Sequence, residues 1–121
     1  MVTTKVVSVL DNNVTLTAAA ANHTSGNWDL QDGYGGKLGL KVTNGATGPT
    51  LAAQCQIQVS GDNTNWYNLG GALISTLGNN VVTSWVVMVP IGAKYLQVIS
   101  GSNTGQDVVL RVAGVEISEI S

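Results

Sequence analysis

Apolar and polar residues alternate along much of this chain, and the alternation predicts β-strands. The run QCQIQVS (54–60) alternates glutamine and serine with cysteine, isoleucine and valine, and the run KLGLKV (37–42) alternates two lysines with leucine and valine. Because successive side chains of a strand point to opposite faces, each run predicts a strand with one buried and one solvated face. The Ala-rich run LTAAAAN (16–22) is the stretch that most favours helix, and its length allows a turn or two at most.

Shorter apolar runs between turn signals predict the remaining strands. Further candidates are Lys5–Leu10, Val14–Ala18, Ala72–Ser75 and Lys94–Ser100. In the C-terminal run 108–117 the apolar positions change parity at Gly114, which predicts a β-bulge there. Many short strands separated by Gly- and Asn-rich turns predict an all-β fold, a single-domain antiparallel β-sandwich of jelly-roll-like type. We assign it to residues 14–121, with residues 1–13 as an N-terminal arm or edge strand.

The run VVTSWVVMVP (81–90) differs from the others because both of its faces are apolar. One face carries Trp85, Val87 and Val89, and the other carries Val82, Val86 and Met88. A strand of a sandwich turns one face to the core, so the second face must be covered by a loop, a subunit or a partner. The candidate interface residues are therefore Val82, Trp85, Val86 and Met88.

Residues 20–36 form a long Gly- and Asn-rich loop that interrupts the strand pattern. A loop of this length is usually functional or is held in place by its own aromatic residues. Two interpretations stay open at this point. Either Trp28 anchors the loop on the sandwich, or exposed loops present Trp28, Tyr34 and Tyr67 to a partner.

The segment SGDNTNWYNLGG (60–71) has the composition of a binding loop, with an acid, three asparagines and two aromatic residues. It lacks the remaining acidic ligands of an EF-hand loop, and Asp62 and Asn63 are typical of a turn that bonds its own backbone. Because it lies between two predicted strands, we interpret it as a hairpin in which Trp66 returns to pack on the sandwich.

Composition narrows the classes of function. The chain has 121 residues, of which 44% are hydrophobic and 10% are charged, with a net charge of -2. Scattered basic residues and a negative balance argue against nucleic acid as a partner. A single cysteine excludes an intramolecular disulfide. Neither a signal peptide nor a membrane-spanning run is recognisable in the sequence. We therefore expect that the protein is synthesised in the cytoplasm and does not associate with a membrane.

Catalytic chemistry finds little support in the sequence. The one histidine, His23, lies near Ser25, Asp29 and Asp32, but no nucleophile motif accompanies it. Cys55 lies on the inward side of its predicted strand, and a His and a Cys are too few ligands for zinc. We expect no enzymatic activity, no metal and no cofactor.

Three further segments are distinctive when taken together: QCQIQVSGDNTNWYNLGG (54–71), VVTSWVVMVPIGAKYLQVISGSNTGQDVVLRV (81–112) and VEISEI (115–120). They resemble small β-sandwich structural proteins of tailed-phage virions, in particular capsid decoration (cement) proteins. The resemblance implies a non-enzymatic protein that binds the major capsid protein on the outside of the head, often as a trimer, and stabilises the shell. It also implies a Tyr95 at the start of a strand.

One alternative stays open beside it. A carbohydrate- or receptor-binding module of a tail fibre or spike would use Trp28, Tyr34, Trp66 and Tyr67 as stacking platforms. In either case residues 1–13 are a candidate for strand addition to a neighbouring subunit.

Overall fold

The protein folds as two antiparallel β-sheets packed face to face, as seen in a computed structural model that describes residues 3–30, 35–90 and 92–120. Sheet A has the strand order β1-β10-β4-β8, and sheet B has the order β2-β9-β5-β6, with β3 also paired to β9 and β7 to β5. The strands are β1 (Thr3–Leu16), β2 (His23–Thr24), β3 (Trp28–Asp29), β4 (Gly36–Asn44), β5 (Gln54–Ser60), β6 (Tyr67–Asn68), β7 (Leu73–Ile74), β8 (Val82–Val89), β9 (Tyr95–Gly101) and β10 (Val108–Ile120). The predicted all-β antiparallel sandwich is confirmed.

The core lies between the two sheets and is built by the alternation that the sequence displays. Leu38, Leu40 and Val42 of β4 are buried, while the two lysines between and before them are exposed. Sheet B contributes Ile57 and other buried residues from the facing side. Burying a side chain of this size contributes about 1.5–3 kcal/mol, so these alternating rows account for most of the cohesion of the sandwich.

The N-terminal region is one long strand, where the sequence suggested two strands and a turn. β1 pairs with β10 over its whole length, and its register shifts between Val9 and Asp11 and again between Asp11 and Val14. Asn13 adopts a positive φ of 53°, a conformation that asparagine tolerates better than most residues. The residues DNN (11–13) therefore form irregularities within a strand rather than a turn between strands. The Ala-rich run that follows forms a turn and no helix.

The bulge predicted at Gly114 does not occur. β10 keeps its register with β4 from Val108 to Glu116, and Gly114 stays on the inward face while Val115 is exposed. The parity change in the sequence has a different cause, because the ring of Trp28 occupies the space that a side chain at position 114 would need. A Cβ built on Gly114 would overlap the ring of Trp28.

Short strand pairings and single backbone hydrogen bonds attach the predicted long loop to both sheets. β2 and β3 pair with β9, and between them the backbone N–H of Ser25 donates to the carbonyl of Val98 over 2.9 Å. The N–H of Gly26 reaches the carbonyl of Leu10 in sheet A over 3.4 Å. The segment thus closes one side of the sandwich. Residues 31–34, which include Tyr34 and Asp32, lie outside the described residues.

Candidate functional site

The second apolar face of β8 points to solvent, as the alternation predicted. Val82, Val86 and Met88 are 55%, 73% and 66% exposed. Trp85 and Val87 point the other way and pack, half-buried, against the core. Trp85 is thus not part of the exposed face, although the sequence grouped it with the candidate interface residues.

The exposed face of β8 continues across the other strands of sheet A. Paired residues of adjacent strands share one face, and the register aligns Val86 with Gly39, Ala113 and Val9 in a single row. The next row aligns Met88 with Lys37, Val115 and Val7. We call the set Val7, Val9, Gly39, Val86, Met88, Ala113 and Val115 the outer apolar face. This extension across β1 and β10 could not be read from the sequence, because it depends on strand order and register.

A shallow depression marks the middle of this face. Gly39 has no side chain, and the space above it forms a depression of about 300 Å³ that Lys41, Ser84, Val86 and Arg111 help to line. A knob-like apolar side chain of a partner would fit such a depression. Exposed apolar patches of this continuity on a folded domain usually mark a protein-protein contact.

Positive charge lies within and beside the outer apolar face, because Lys37 stands between Met88 and Val115, and Lys41 and Arg111 occupy the row beside Val86. Lys37, Lys41 and Arg111 all belong to outward-facing positions of β4 and β10. Arg111 is held by Asn12, whose Oδ1 accepts from Nη1 over 2.7 Å. The net charge of -2 comes from five basic and seven acidic residues, so the chain without these three cations has two basic and seven acidic residues, a balance of -5. Cations are therefore concentrated on one face of an acidic protein.

Trp28 is not an exposed contact residue, contrary to one of the two interpretations left open by the sequence. Its side chain is 3% exposed, and its ring packs on Gly114 of β10. The alternative, that it anchors the long loop, describes its position. Tyr67 is 68% exposed at the edge of sheet B, as that interpretation requires, whereas Tyr34 lies outside the described residues.

The segment SGDNTNWYNLGG is a hairpin shaped by Asp62. β5 and β6 pair through Gln58 with Asn68 and Val59 with Tyr67. Oδ1 of Asp62 accepts from the backbone N–H groups of Thr64 and Asn65 over 2.9 and 2.8 Å. These hydrogen bonds hold the pKa of Asp62 well below its ordinary value. The predicted turn is confirmed.

Trp66 does not return to the core as the sequence suggested. It is half-exposed, and the side chain after the hairpin that packs against the core is Leu69, whose N–H also donates to the carbonyl of Ile57 over 2.8 Å. The hairpin therefore joins the sandwich through Leu69 and presents its aromatic residues near the edge.

His23 meets a different acid from those that the sequence offered. Its Nε2 lies 2.8 Å from Oδ1 of Asp11, a residue of β1 that is 4% exposed. The second carboxylate oxygen of Asp11 has no hydrogen-bond partner in the described part of the chain. This contact links the long loop to sheet A, and it places His23 in a structural role across the two sheets.

Cys55 is a core residue, as its strand position predicted. It is fully buried, and burial raises the pKa of its thiol. Among the residues that the structure describes, no group of three or more His, Cys, Asp or Glu side chains is arranged to hold a metal ion. The same residues include no helix long and apolar enough to cross a bilayer.

Solved structures of several different proteins are similar to this fold. The SPBc2 prophage-derived protein YomS is 15% identical, with a TM-score of 0.53, and the match covers 96% of each chain. The infectious bursal disease virus VP2 subviral particle is 12% identical, with a TM-score of 0.59, over 96% of this chain and 33% of that one. The K3 cleaved adhesin domain of Lys-gingipain from Porphyromonas gingivalis W83 is 15% identical, with a TM-score of 0.55, over 93% and 73%.

At these identities the similarity establishes the fold alone, a β-sandwich that also occurs in a prophage-derived protein and in about a third of the VP2 chain of a subviral particle. No protein-family model and no curated protein sequence matches the chain.

Proposed function

We propose that this protein is a non-enzymatic structural component of a phage virion that binds the outside of the capsid shell as a decoration protein. The observation that carries the proposal is the outer apolar face, two rows with exposed valines and a methionine that no other described part of the chain pairs with or covers as a strand. A contiguous apolar face on an exposed protein indicates a contact site, because such a face is unfavourable in water unless another surface covers it. The partner we propose is the major capsid protein.

Two further lines support this proposal. The segments 54–71, 81–112 and 115–120 resemble those of phage decoration proteins, and the fold occurs both in a prophage-derived protein of nearly equal extent and in part of the VP2 chain of a subviral particle. A surface of Gln, Asn, Ser and Thr with 10% charged residues suits a protein exposed on a particle. The corresponding location is the capsid exterior, reached after synthesis in the host cytoplasm.

The test uses heads purified from the encoding phage with this gene deleted. We expect the wild-type protein to bind these heads saturably and to raise the temperature at which they release DNA. The double variant Val7→Lys/Val9→Lys places charge on the outer apolar face, and we expect it to bind at least about 10-fold more weakly, since each buried valine contributes about 1.5 kcal/mol or more. Both valines are exposed in the isolated chain, so its folding should be unaffected.

The matched control adds the same two charges elsewhere. Gln54→Lys/Gln106→Lys changes two exposed residues outside sheet A and should bind like the wild type. Absence of saturable binding by the wild type would sink the decoration role. Binding to glycans that Tyr67→Ala abolishes, with no binding to heads, would favour the receptor-binding alternative, for which Tyr67 is exposed and Trp66 half-exposed.

A further inference from the structure

The four edges of the two sheets differ sharply in how far they are protected against pairing with another chain. An exposed edge strand has a row of free N–H and C=O groups, and proteins protect such edges with short strands, bulges, charges or proline. In sheet B, the edges are formed by β2 and β3 on one side and by β6 and β7 on the other, each of two residues. Neither edge offers a continuous template for a partner strand.

The two edges of sheet A are both long, but one of them is irregular. β1 shifts register at three places against β10 and includes the positive φ of Asn13 and the inward-pointing carboxylate of Asp11. These features bend the strand and interrupt any regular ladder along its outer side. The β1 edge is thus protected in the way that natural edge strands usually are.

β8 has none of these protections. Its eight residues, VTSWVVMV, contain no charge and no proline, and they pair with β4 in an unbroken register from Val82 to Val89. No other strand among the described residues pairs with its outer side. The outward side chains of Val82, Val86 and Met88 are exposed and apolar. A regular, uncharged and apolar edge is the kind of strand that pairs with another chain.

We propose that β8 is the seam of a two-fold dimer, in which β8 of a second copy pairs antiparallel with it and joins the two A sheets into one. This inference is independent of the capsid-binding role. An antiparallel pair about a two-fold axis is self-complementary, because each copy offers the same uncharged strand to the other. The outward apolar side chains of the two strands then lie beside one another on one continuous face.

The positions of the cations favour this edge-to-edge arrangement over stacking of the two faces. Stacking the outer apolar faces would bring Lys37, Lys41 and Arg111 against their own copies, and like charges at contact are unfavourable. Across the β8 seam, the lysines of β4 are three strand spacings apart, about 14 Å, which exceeds the screening length of about 8 Å at physiological salt. Edge pairing therefore leaves the cations free to meet a partner.

A ring of three subunits, the assembly implied by the resemblance to decoration proteins, would need a different contact. Each β8 would have to pair with a strand other than β8, because an isologous seam closes after two copies. The remaining long edge is β1, and its irregularities oppose a regular ladder. The oligomeric mass therefore separates the two arrangements.

The test is the mass of the purified full chain in solution by light scattering. The chain has a mass of 12.5 kDa, so the seam predicts a species of twice that mass for the wild type. Ser84→Lys/Val86→Lys places lysines on exposed outward positions of β8, where two copies would bring them together, and should halve the mass. The matched control Val7→Lys/Val9→Lys adds the same charges to exposed positions at the opposite edge of sheet A and should keep the doubled mass.

A charge-swap experiment separates a lost seam from a misfolded chain. Ser84→Glu/Val86→Glu should be monomeric alone, and mixing it with Ser84→Lys/Val86→Lys should restore the doubled mass. A wild type that stays monomeric up to its solubility limit, a wild-type trimer, or a dimer that dissociates in the β1 variant and not in the β8 variant would each overturn the proposal. Head binding is scored separately, so a dimer that fails to bind heads would contradict the decoration role and leave the seam intact.

Discussion

At the scale of single residues, a few positions determine how the loops of this protein pack. Gly114 faces inward, and because it has no side chain the ring of Trp28 can pack on β10. Asp62 organises its hairpin with a carboxylate that accepts several hydrogen bonds from the turn. Neither residue takes part in the proposed binding surface. Both instead fix loops whose composition resembles that of binding sites.

The contact between Gly114 and Trp28 gives a prediction about stability. Gly114→Ala should destabilise the protein by about 1–3 kcal/mol, because the added methyl group must displace a buried ring. Gly45→Ala is the matched control, since a Cβ there meets nothing within 4 Å. Urea denaturation monitored by tryptophan fluorescence measures both. Equal midpoints for Gly114→Ala and the wild type would show that the ring can move away without cost.

The hairpin gives a prediction about pH. Hydrogen bonds depress the pKa of Asp62 in the folded state, so their contribution to stability is present above its ordinary pKa of 3.8 and is lost as the pH falls through the lower folded value. Asp62→Asn should therefore have a lower urea midpoint than the wild type at neutral pH. The difference should shrink as the pH is lowered below 3.8. A constant difference at all pH values, or an Asp62 carboxyl that titrates normally by NMR, would contradict this account.

At the scale of elements, the strands differ in how closely their structure follows the pattern of polar and apolar residues in the sequence. β4 follows its alternation without exception, whereas β5 follows it up to Val59 and then buries Ser60, which the sequence placed on the outward side. β1 instead includes a polar stretch whose sequence predicts a turn. The strand continues through this stretch because pairing with β10 supplies backbone hydrogen bonds on both sides of the irregularity. β8 alternates regularly, and its unbroken register and lack of charge distinguish it from the irregular β1 edge.

The irregularity in β1 can be tested through Asn13. Its positive φ is unfavourable for a residue with a Cβ and no local side-chain hydrogen bond, so Asn13→Ala should cost about 1 kcal/mol. Asn13→Gly is the control at the same position, and it should be neutral or slightly stabilising because glycine adopts this conformation freely. Thermal or urea unfolding of the two variants measures the difference in their stability. An alanine variant as stable as the glycine variant would mean that the strand can straighten.

At the scale of the whole molecule, the distribution of surface types organises the proposed function. Sheet A carries the outer apolar face and three cations, while the chain without those three has a balance of -5. Pairing through β8 would join two such faces into one wider surface with its cations at a distance from the seam. A partner surface with an apolar centre and acidic surroundings would complement it. The proposed dimer uses the backbone edge of β8 and the proposed attachment uses the outer apolar face, and the two meet at Val86 and Met88.

The sequence by itself determined the features that depend on near neighbours along the chain. Alternation at period two places Cys55 inward, Lys37 and Lys41 outward, and Val86 opposite to Val87, and turn chemistry places the hairpin at Asp62. These were predictable because a strand alternates its faces whatever it pairs with, and because an Asx turn closes within a few residues.

Only the tertiary structure decided the features that depend on which strands meet. Strand order and register align Val7 and Val9 with Val86 and Met88 across β10 and β4, residues some eighty positions apart in the chain. The same long-range packing buries Trp28 on Gly114 and pairs His23 with Asp11. Local pattern cannot encode these contacts, because each is a relation between two segments whose pairing is settled by the free energy of the whole sandwich.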